Sequence, residues 1–187
     1  MSTHQSWPVA EVIRQRRTIR EFKSDAVEQE LILELMDIAR WAPNHGLREP
    51  WRFIQYVGDA RAAFTEAVIG SFSAEEKVKY AEQRLKYYTE IPVHLIVVMK
   101  QDPRQKQWEE DFAAACSWIQ SFQLAAWERG LGVVWKTNSY MYSPYFREAV
   151  GVHAGEKVVG VLHVGYPQVV PDPRPRADVG HHLIVHR

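Results

Sequence analysis

Cysteine is nearly absent from this chain of 187 residues, which contains Cys116 alone. A single thiol excludes an internal disulfide framework and a cysteine-rich metal cluster, and it is compatible with a reducing compartment. Net charge is absent too, because 23 basic residues balance 23 acidic residues. A neutral chain has no overall field that would draw it to nucleic acid or to an anionic membrane. We therefore expect neither of these among its partners.

Long apolar runs are also missing, and a stretch such as Leu95 to Met99 is far shorter than a membrane-spanning helix requires. The N-terminal sequence MSTHQSWPVA lacks the basic and apolar regions of a signal peptide, so we expect a cytoplasmic protein. Aromatic residues are plentiful by contrast, with 7 tryptophans. This richness favours a large core, an interface, or stacking against a planar ligand.

The length predicts one hydrophobic core and hence a single domain over residues 1–187. Periodicity and turn signals predict strands over residues 51–57, 92–99, 131–136 and 158–164. They predict helices that begin at Pro8, Asp25, Ser73 and Ser143 and two more over residues 60–69 and 106–129. Helical spacing places two sets of residues on apolar stripes, namely Val9, Val12, Ile13 and Arg16, and Val78, Ala81, Leu85 and Tyr88. Because strands and helices do not alternate regularly, the order favours an α+β layer over a doubly wound parallel sheet.

Several familiar catalytic motifs do not occur in the sequence. Gly130-Leu131-Gly132 has only the first half of a dinucleotide-binding G-x-G-x-x-G, and there is no P-loop, H-E-x-x-H or G-x-S-x-G. The tail histidines, His181, His182 and His186, have no neighbouring run of carboxylates or thiolates, so we expect no metal site. Cys116 lies between Ala115 and Ser117 in a predicted helix, which favours an inert thiol.

The segment Arg16-Arg17-Thr18-Ile19-Arg20-Glu21-Phe22 is the first positive signal. Arg16 falls on the predicted apolar stripe, where a guanidinium needs an anion, either a carboxylate of the protein or a phosphate of a ligand. Arg17 and Thr18 add a second guanidinium and a hydroxyl, which suit a phosphate monoester. The alternative is a solvated basic helix end that the helix dipole stabilises.

Two further segments have the composition of functional loops or strand ends. APNHGLREPW joins a predicted helix to a strand, and GLGVVWKT is a predicted strand that ends in a cation and a hydroxyl. Each of them, taken by itself, is equally compatible with an ordinary turn or an ordinary strand end.

Together, RRTIREF, APNHGLREPW, GLGVVWKT, KVVGVLHVGYP and PRPR resemble the FMN-dependent nitroreductase family, in the family's order and over nearly the whole chain. The likeness is greatest to the small, minimal branch. It implies an α+β fold around a mostly antiparallel sheet and an intertwined homodimer with FMN at the subunit interface. It also implies that a C-terminal tail, about residues 169–187, reaches the partner.

The resemblance also implies roles for individual residues. Arg16, Arg17 and Thr18 match the element that binds the FMN phosphate and ribityl chain, and Arg176 matches a tail arginine directed at the phosphate. Arg20 matches a basic position near the flavin's pyrimidine side. Trp41 and His45 match contacts from the second subunit, and Trp135, Lys136 and Thr137 match a segment that contacts the flavin. Asn44, Leu47 and Glu49 depart from the family pattern at positions that shape the pocket.

The function implied is hydride transfer from NAD(P)H through FMN to electron-poor acceptors such as nitroaromatics or quinones, in a ping-pong reaction. No side chain is expected to be catalytic, because the flavin carries the chemistry, although Arg20 and Lys136 are candidates for a cation beside its N1–C2 carbonyl side. The alternatives are a specialised flavin enzyme such as a dehalogenase, an FMN-binding sensor or storage module without turnover, and an interaction protein that uses the PRPR tail.

Overall fold

A computed structural model of the protein describes residues 8–187, so most of the segment used for the signal-peptide expectation lies outside the described residues. Its helices are α1 (Pro8–Gln15), α2 (Gln29–Ala39), α3 (Arg61–Gly70), α4 (Ala74–Glu90), α5 (Gln105–Glu128) and α6 (Pro144–Ala149). Its strands are β1 (Trp51–Val57), β2 (Val93–Lys100), β3 (Gly132–Lys136) and β4 (Glu156–Gly165). In the part of the chain described, no helix is both long enough and apolar enough to cross a membrane.

The four strands form one antiparallel sheet in the order β1-β2-β4-β3. Each strand pairs in register with its neighbours, for example Phe53 with Val97 and Val134 with His163, and a bulge interrupts the β2–β4 ladder between Val97 and Val98. This confirms the predicted α+β class and the antiparallel sheet. This strand order leaves β3 at one edge of the sheet, where a further segment of the chain can pair with it.

Helices cover both faces of the sheet, and the alternation of side chains along β2 shows why. Leu95 and Val97 point into a core with α2 and α5, whereas Ile96 and Val98 point into a second core with α3, α4 and α6. The interior strands β2 and β4 are therefore almost wholly apolar. Helix α5 packs Trp118 and other fully buried side chains against the sheet.

The apolar stripes predicted for α1 and α4 were wrong in part, because Tyr88 is buried at 2% exposure but other members face solvent. Val9 and Ile13 of α1 are 71% and 52% exposed, and Val78 of α4 is 92% exposed, so regular spacing alone did not identify a buried face. The predicted start of α2 at Asp25 was wrong as well. That helix begins after Glu28, which makes no side-chain cap, because the preceding residues run as an extended arm.

Other helix starts are as the sequence predicted. Ser73 and Glu76 form a reciprocal capping box at the start of α4, with Ser73 Oγ accepting from the Glu76 amide at 3.2 Å. Ser143 accepts from the Phe146 amide in the same way, and Pro144 opens α6. β1 spans the predicted residues without a shift. Other ends differ by one or two residues, as the start of β4 at Glu156 shows.

Candidate functional site

The arm that follows α1 lies against the edge strand β3 and the end of β4. Thr18 forms a parallel bridge with Val133, and the Ile19 amide donates to the Val133 carbonyl at 3.3 Å. Beyond it, the Lys23 amide donates to the Tyr166 carbonyl at 2.9 Å. Gly132 allows this approach, because a Cβ there would collide with the buried Ile19 side chain. Since arm and strand run in parallel at Thr18, Arg20 is carried toward the C-terminal end of β3.

A cavity of about 480 Å³ lies between the end of α1, this arm and the C-terminal tail. Its lining is strongly basic, with six arginines and a single acidic residue, Asp172. The lining residues that the sequence singled out are Arg16, Arg17, Thr18, Arg20 and Arg176. The structure therefore brings together, within one chain, the predicted phosphate-binding element and the predicted tail arginine.

Arg16 is a half-buried cation in this cavity. Burial lowers the pKa of its guanidinium, and the nearby charges of Arg17 and Arg176 lower it further. Its hydrogen bond to α5 is long, from Nη1 to the Gln123 Oε1 at 3.4 Å. Within residues 8–187 no carboxylate forms a salt bridge with Arg16. An anion such as a phosphate group would relieve this repulsion.

Arg17 faces the cavity but is already engaged at the end of α1. Its Nη1 donates to the carbonyls of Arg14, Gln15 and Arg16 at 2.7, 2.9 and 3.0 Å. These are carbonyls that the end of a helix leaves unsatisfied, so the helix-end alternative describes Arg17 in this structure. Arg176, in contrast, donates only to the carbonyl of Arg174 and is exposed.

The three residues at the end of β3 have different surroundings. Trp135 packs across Gly160 into the core shared with α2 and α5, and its indole N–H donates to the Val159 carbonyl at 3.4 Å. Lys136 follows it and therefore points to the opposite face of the sheet. Thr137 lies just beyond the strand and is exposed. The side chain of Trp135 is thus a packing group, whereas those of Lys136 and Thr137 are open to a ligand.

Lys136 belongs to a second cationic cluster that sequence reasoning found only in part. Burial lowers the pKa of Lys136, and the charges of Arg20 and Arg84 lower it further. Arg84 is a half-buried residue of α4, and Tyr87, one turn further along, lies edge-on to the His163 ring with centroids 6.3 Å apart. Arg84 was missed because it is one of many charged residues on a helix. Only the packing of α4 over the sheet places it beside Lys136.

The loop that carries Trp41 and His45 lies elsewhere in the protomer. Trp41 is 81% exposed, and His45 begins an exposed 3-10 turn, His45–Leu47. Arg48 ties this loop to Asp111 near the start of α5, whereas Arg16 contacts Gln123 in the second half of the same helix. The two contact points on α5 are twelve residues apart, or about 18 Å along the helix axis. Within one chain, the loop and the arginine cavity lie near opposite halves of α5.

The sequence profile of the nitroreductase family matches residues 13–166 of the chain. The chain belongs to the nitroreductase family. The match covers all four strands and helices α2 to α6, and it includes the arm with Arg16. The family resemblance and the nitroreductase-like fold drawn from the sequence are thereby confirmed.

Individual relatives agree with the family assignment over nearly full length. The Bacillus subtilis (strain 168) protein named "Putative NAD(P)H nitroreductase YfhC" is 34% identical over 180 residues, which are 94% of this chain and 93% of that protein. The crystal structure of a nitroreductase-like family protein from Bacillus cereus has a TM-score of 0.94 at 41% identity, covering 100% of this chain and 98% of that one.

A more distant structure shares the fold. The FMN-dependent nitroreductase NfnB from Mycobacterium smegmatis, solved in complex with NADPH, has a TM-score of 0.76 at 17% identity. The alignment covers 96% of this chain and 98% of that one. At this identity the likeness establishes a common fold, and the roles of individual residues must be argued from this chain itself.

Proposed function

We propose that the protein is an FMN-dependent oxidoreductase that transfers hydride from NADH or NADPH to electron-poor acceptors such as nitroaromatics or quinones. One observation carries the proposal: in a chain of the nitroreductase family, a cavity lined by six arginines holds the half-buried Arg16, which forms no salt bridge within residues 8–187. This donor set suits the phosphate of FMN. The lone cysteine also supports a cytoplasmic location.

Two groups of residues would bind the two ends of FMN. Arg16, Thr18 and Arg176 would hold the phosphate end of FMN, with Arg17 at the rim of the cavity. Arg20 and Lys136, together with Arg84, would place positive charge at one edge of the ring system. When bound, FMN supplies the hydride-accepting and hydride-donating atom N5. The side chains therefore bind, orient and tune, and none needs to act as nucleophile.

A homodimer would complete this site. His45 and Trp41 lie near one half of α5 and the arginine cavity near the other, so a second copy is the natural source of the loop contacts. The C-terminal tail supports the same arrangement, because Val179, Leu183 and Ile184 are 77%, 63% and 81% exposed. Apolar side chains exposed at this density favour burial against a partner. We propose that the tail of about residues 169–187, whose first part lines the cavity of its own chain, reaches across the dimer with its apolar end, and that residues 1–187 are one domain.

The function is tested by the colour of the purified protein and its loss on reduction. We expect a yellow protein whose visible absorbance bleaches on anaerobic addition of NADH or NADPH and returns with a nitroarene or quinone. Because the sequence has no motif for binding a second nucleotide, we expect the donor and the acceptor to take turns at the flavin. Double-reciprocal plots at several acceptor concentrations should therefore give parallel lines. Intersecting lines would mean that both substrates bind together, and a yellow protein that never bleaches would be a sensor or storage module.

His45 is expected to contribute binding from the neighbouring subunit rather than a proton. The His45 side chain is exposed on the 3-10 turn and has no hydrogen-bond partner within residues 8–187. A histidine beside a flavin is nevertheless chemically able to donate a proton. His45→Gln retains a polar group and should lower FMN affinity while leaving the oxidative half-reaction of the loaded protein nearly unchanged. A large fall in that half-reaction at full FMN occupancy would identify His45 as a proton donor.

The tail is tested by deletion of residues 177–187. This removes the exposed apolar residues but leaves Arg176, so we expect a weaker dimer and a lower FMN-to-protein ratio. Light scattering after size exclusion and the absorbance ratio measure the two effects. Val78→Ser is the control, because Val78 is 92% exposed but lies on α4. A truncated protein that stays dimeric with full FMN occupancy would contradict the tail exchange.

A further inference from the structure

The loop between α2 and β1 has a backbone that its residues do not favour. Leu47 and Glu49 have φ angles of 50° and 44°, and they are the non-glycine residues with positive φ among those described. A branched or acidic side chain in this left-handed region costs free energy relative to glycine. Such a conformation persists only where surrounding contacts impose it, and it occurs most often at functional sites.

Arg48, between these two residues, supplies the contact that imposes it. Its Nε and Nη2 donate to the two carboxylate oxygens of Asp111 at 3.1 and 3.0 Å. Asp111 is only 4% exposed, and it accepts a further bond from Gln107 Nε2 at 3.1 Å, which fixes its orientation on α5. Asp102 adds a second carboxylate 3.7 Å from Arg48. Because the planar Arg48 guanidinium makes two parallel hydrogen bonds to a carboxylate of fixed orientation, both its direction and its distance from α5 are restrained.

A second contact closes the loop from within. The Asn44 side chain accepts from the Glu49 amide at 3.0 Å and donates to the Ala42 carbonyl at 3.2 Å. The tip of this loop does not pack into either core, since Leu47 is 83% exposed. The buried Asp111 carboxylate therefore holds an exposed loop in one conformation, although two of the loop's residues have unfavourable backbone angles.

We propose that Arg48 is a positioning residue for the cofactor site of the other protomer, a role that rests on the proposed FMN function. Arg48 does not reach the cofactor. Through Asp111 it holds the loop so that Trp41 and His45 are presented to a second copy in one fixed geometry. A preformed loop binds more tightly because it loses less conformational freedom on contact.

The chain contains a closely matched control in Arg52. Its Nε donates to Glu156 Oε1 at 2.8 Å in a similar fork, and the exposed fractions of the arginine side chains are 40% for Arg48 and 38% for Arg52. Arg52 lies on β1, four residues further along, and holds no strained loop. Removing either arginine leaves a carboxylate without its partner, so both variants should lower the melting temperature. Only the removal of Arg48 should change FMN binding.

The experiment compares FMN dissociation constants of refilled apoprotein for Arg48→Ala and Arg52→Ala. We expect a rise of about tenfold for Arg48→Ala, a smaller rise for Arg48→Lys, and less than a twofold change for Arg52→Ala. If Arg48→Ala does not fold, Asp111→Asn, which keeps the shape of the carboxylate but not its charge, takes its place. Equal FMN affinity in Arg48→Ala and the native protein would overturn the proposal, whereas a native protein that binds no FMN would overturn the proposed function.

Mixed dimers test whether the effect crosses the subunit boundary. Arg16→Ala damages the cavity of its own protomer, and Arg48→Ala damages the loop offered to the partner. A dimer of one with the other should therefore regain one tight FMN site with an undamaged cavity and an undamaged loop. Neither parent dimer should have such a site. Absence of this recovery would show that Arg48 acts only within its own chain and would contradict the proposal.

Discussion

Replacing Arg16 with alanine is expected to weaken FMN binding roughly ten- to a hundredfold. The loss of one charge-assisted phosphate contact costs about 1.5–3 kcal/mol, which corresponds to that range. Arg16 is the half-buried member of the cavity, and no carboxylate forms a salt bridge with it within residues 8–187. Titration of the apoprotein with FMN, followed by flavin fluorescence, measures the change.

Two further variants define the cause of this loss. Arg16→Lys keeps the charge but not the planar fork, so its dissociation constant should lie between those of alanine and arginine. Arg40→Ala removes an arginine that pairs with Asp37 at 2.8 Å on the surface of α2, and it should bind FMN normally. An unchanged dissociation constant in Arg16→Ala would exclude Arg16 from the phosphate site.

Acid is expected to destabilise the protein between about pH 6.5 and pH 4.5, before most carboxylates are protonated. The cause is a pair of buried histidines, His94 and His163, whose Nδ1 atoms lie 2.8 Å apart between β2 and β4. His94 Nε2 is 2.9 Å from the Tyr88 carbonyl, which only accepts, so Nε2 carries the proton. His94 Nδ1 must then accept from His163 Nδ1, and both rings are neutral.

The direction of the effect follows from the pKa values. Burial lowers the pKa of His94 to about 3, with a further decrease from Arg61. Burial also lowers the pKa of His163, as would a proton on the neighbouring His94, and the charge of Lys136 lowers it further. The unfolded chain takes up protons at about pH 6.5 while the folded chain does not, so stability falls as the pH falls. For His94 alone the loss between pH 7 and pH 5 is about 2 kcal/mol.

Urea unfolding at pH 7, 6 and 5 measures this loss. The double variant His94→Asn with His163→Gln removes both titrating groups and should flatten the dependence over this range, even if it is less stable throughout. His182→Gln, in the exposed tail, should retain the dependence of the native protein. A native free energy of unfolding that is constant from pH 7 to pH 5 would contradict the neutral pair. Glu156, whose pKa is lowered by Arg52, contributes its loss only at still lower pH.

The sequence predicted the parts of this protein that depend on local chemistry. The capping box at Ser73 and the strand Trp51–Val57 were confirmed, because a cap and a pattern of apolar and aromatic residues act over a few positions. The stripe on α4 was wrong at Val78, which is 92% exposed, since a helix buries a face only against a neighbour and no element within residues 8–187 covers Val78.

Contacts between residues that are distant in the sequence could not be predicted from the sequence. His94 and His163 are 69 residues apart, and Arg48 and Asp111 are 63 residues apart. No local spacing marks such pairs, because strand order and the packing of α5 bring them together. The basic cavity could be foreseen through the family resemblance. Only the structure showed that Arg48 restrains the loop and that Arg84 belongs to the second cationic cluster.

The arm beside β3 also dictates when the cavity can exist during protein synthesis. Phe22 bridges to Pro167, and the Gln168 amide donates to the Glu21 carbonyl at 2.9 Å. The residues that fix the direction of the arm therefore leave the ribosome near the end of translation, long after Arg16 itself. Pairings of such long sequence separation form late and slowly. A nascent chain that stops before β4 has Arg14, Arg16, Arg17 and Arg20, lacks Arg174 and Arg176, and cannot fix the direction of the arm, so cofactor loading must follow completion of the sheet.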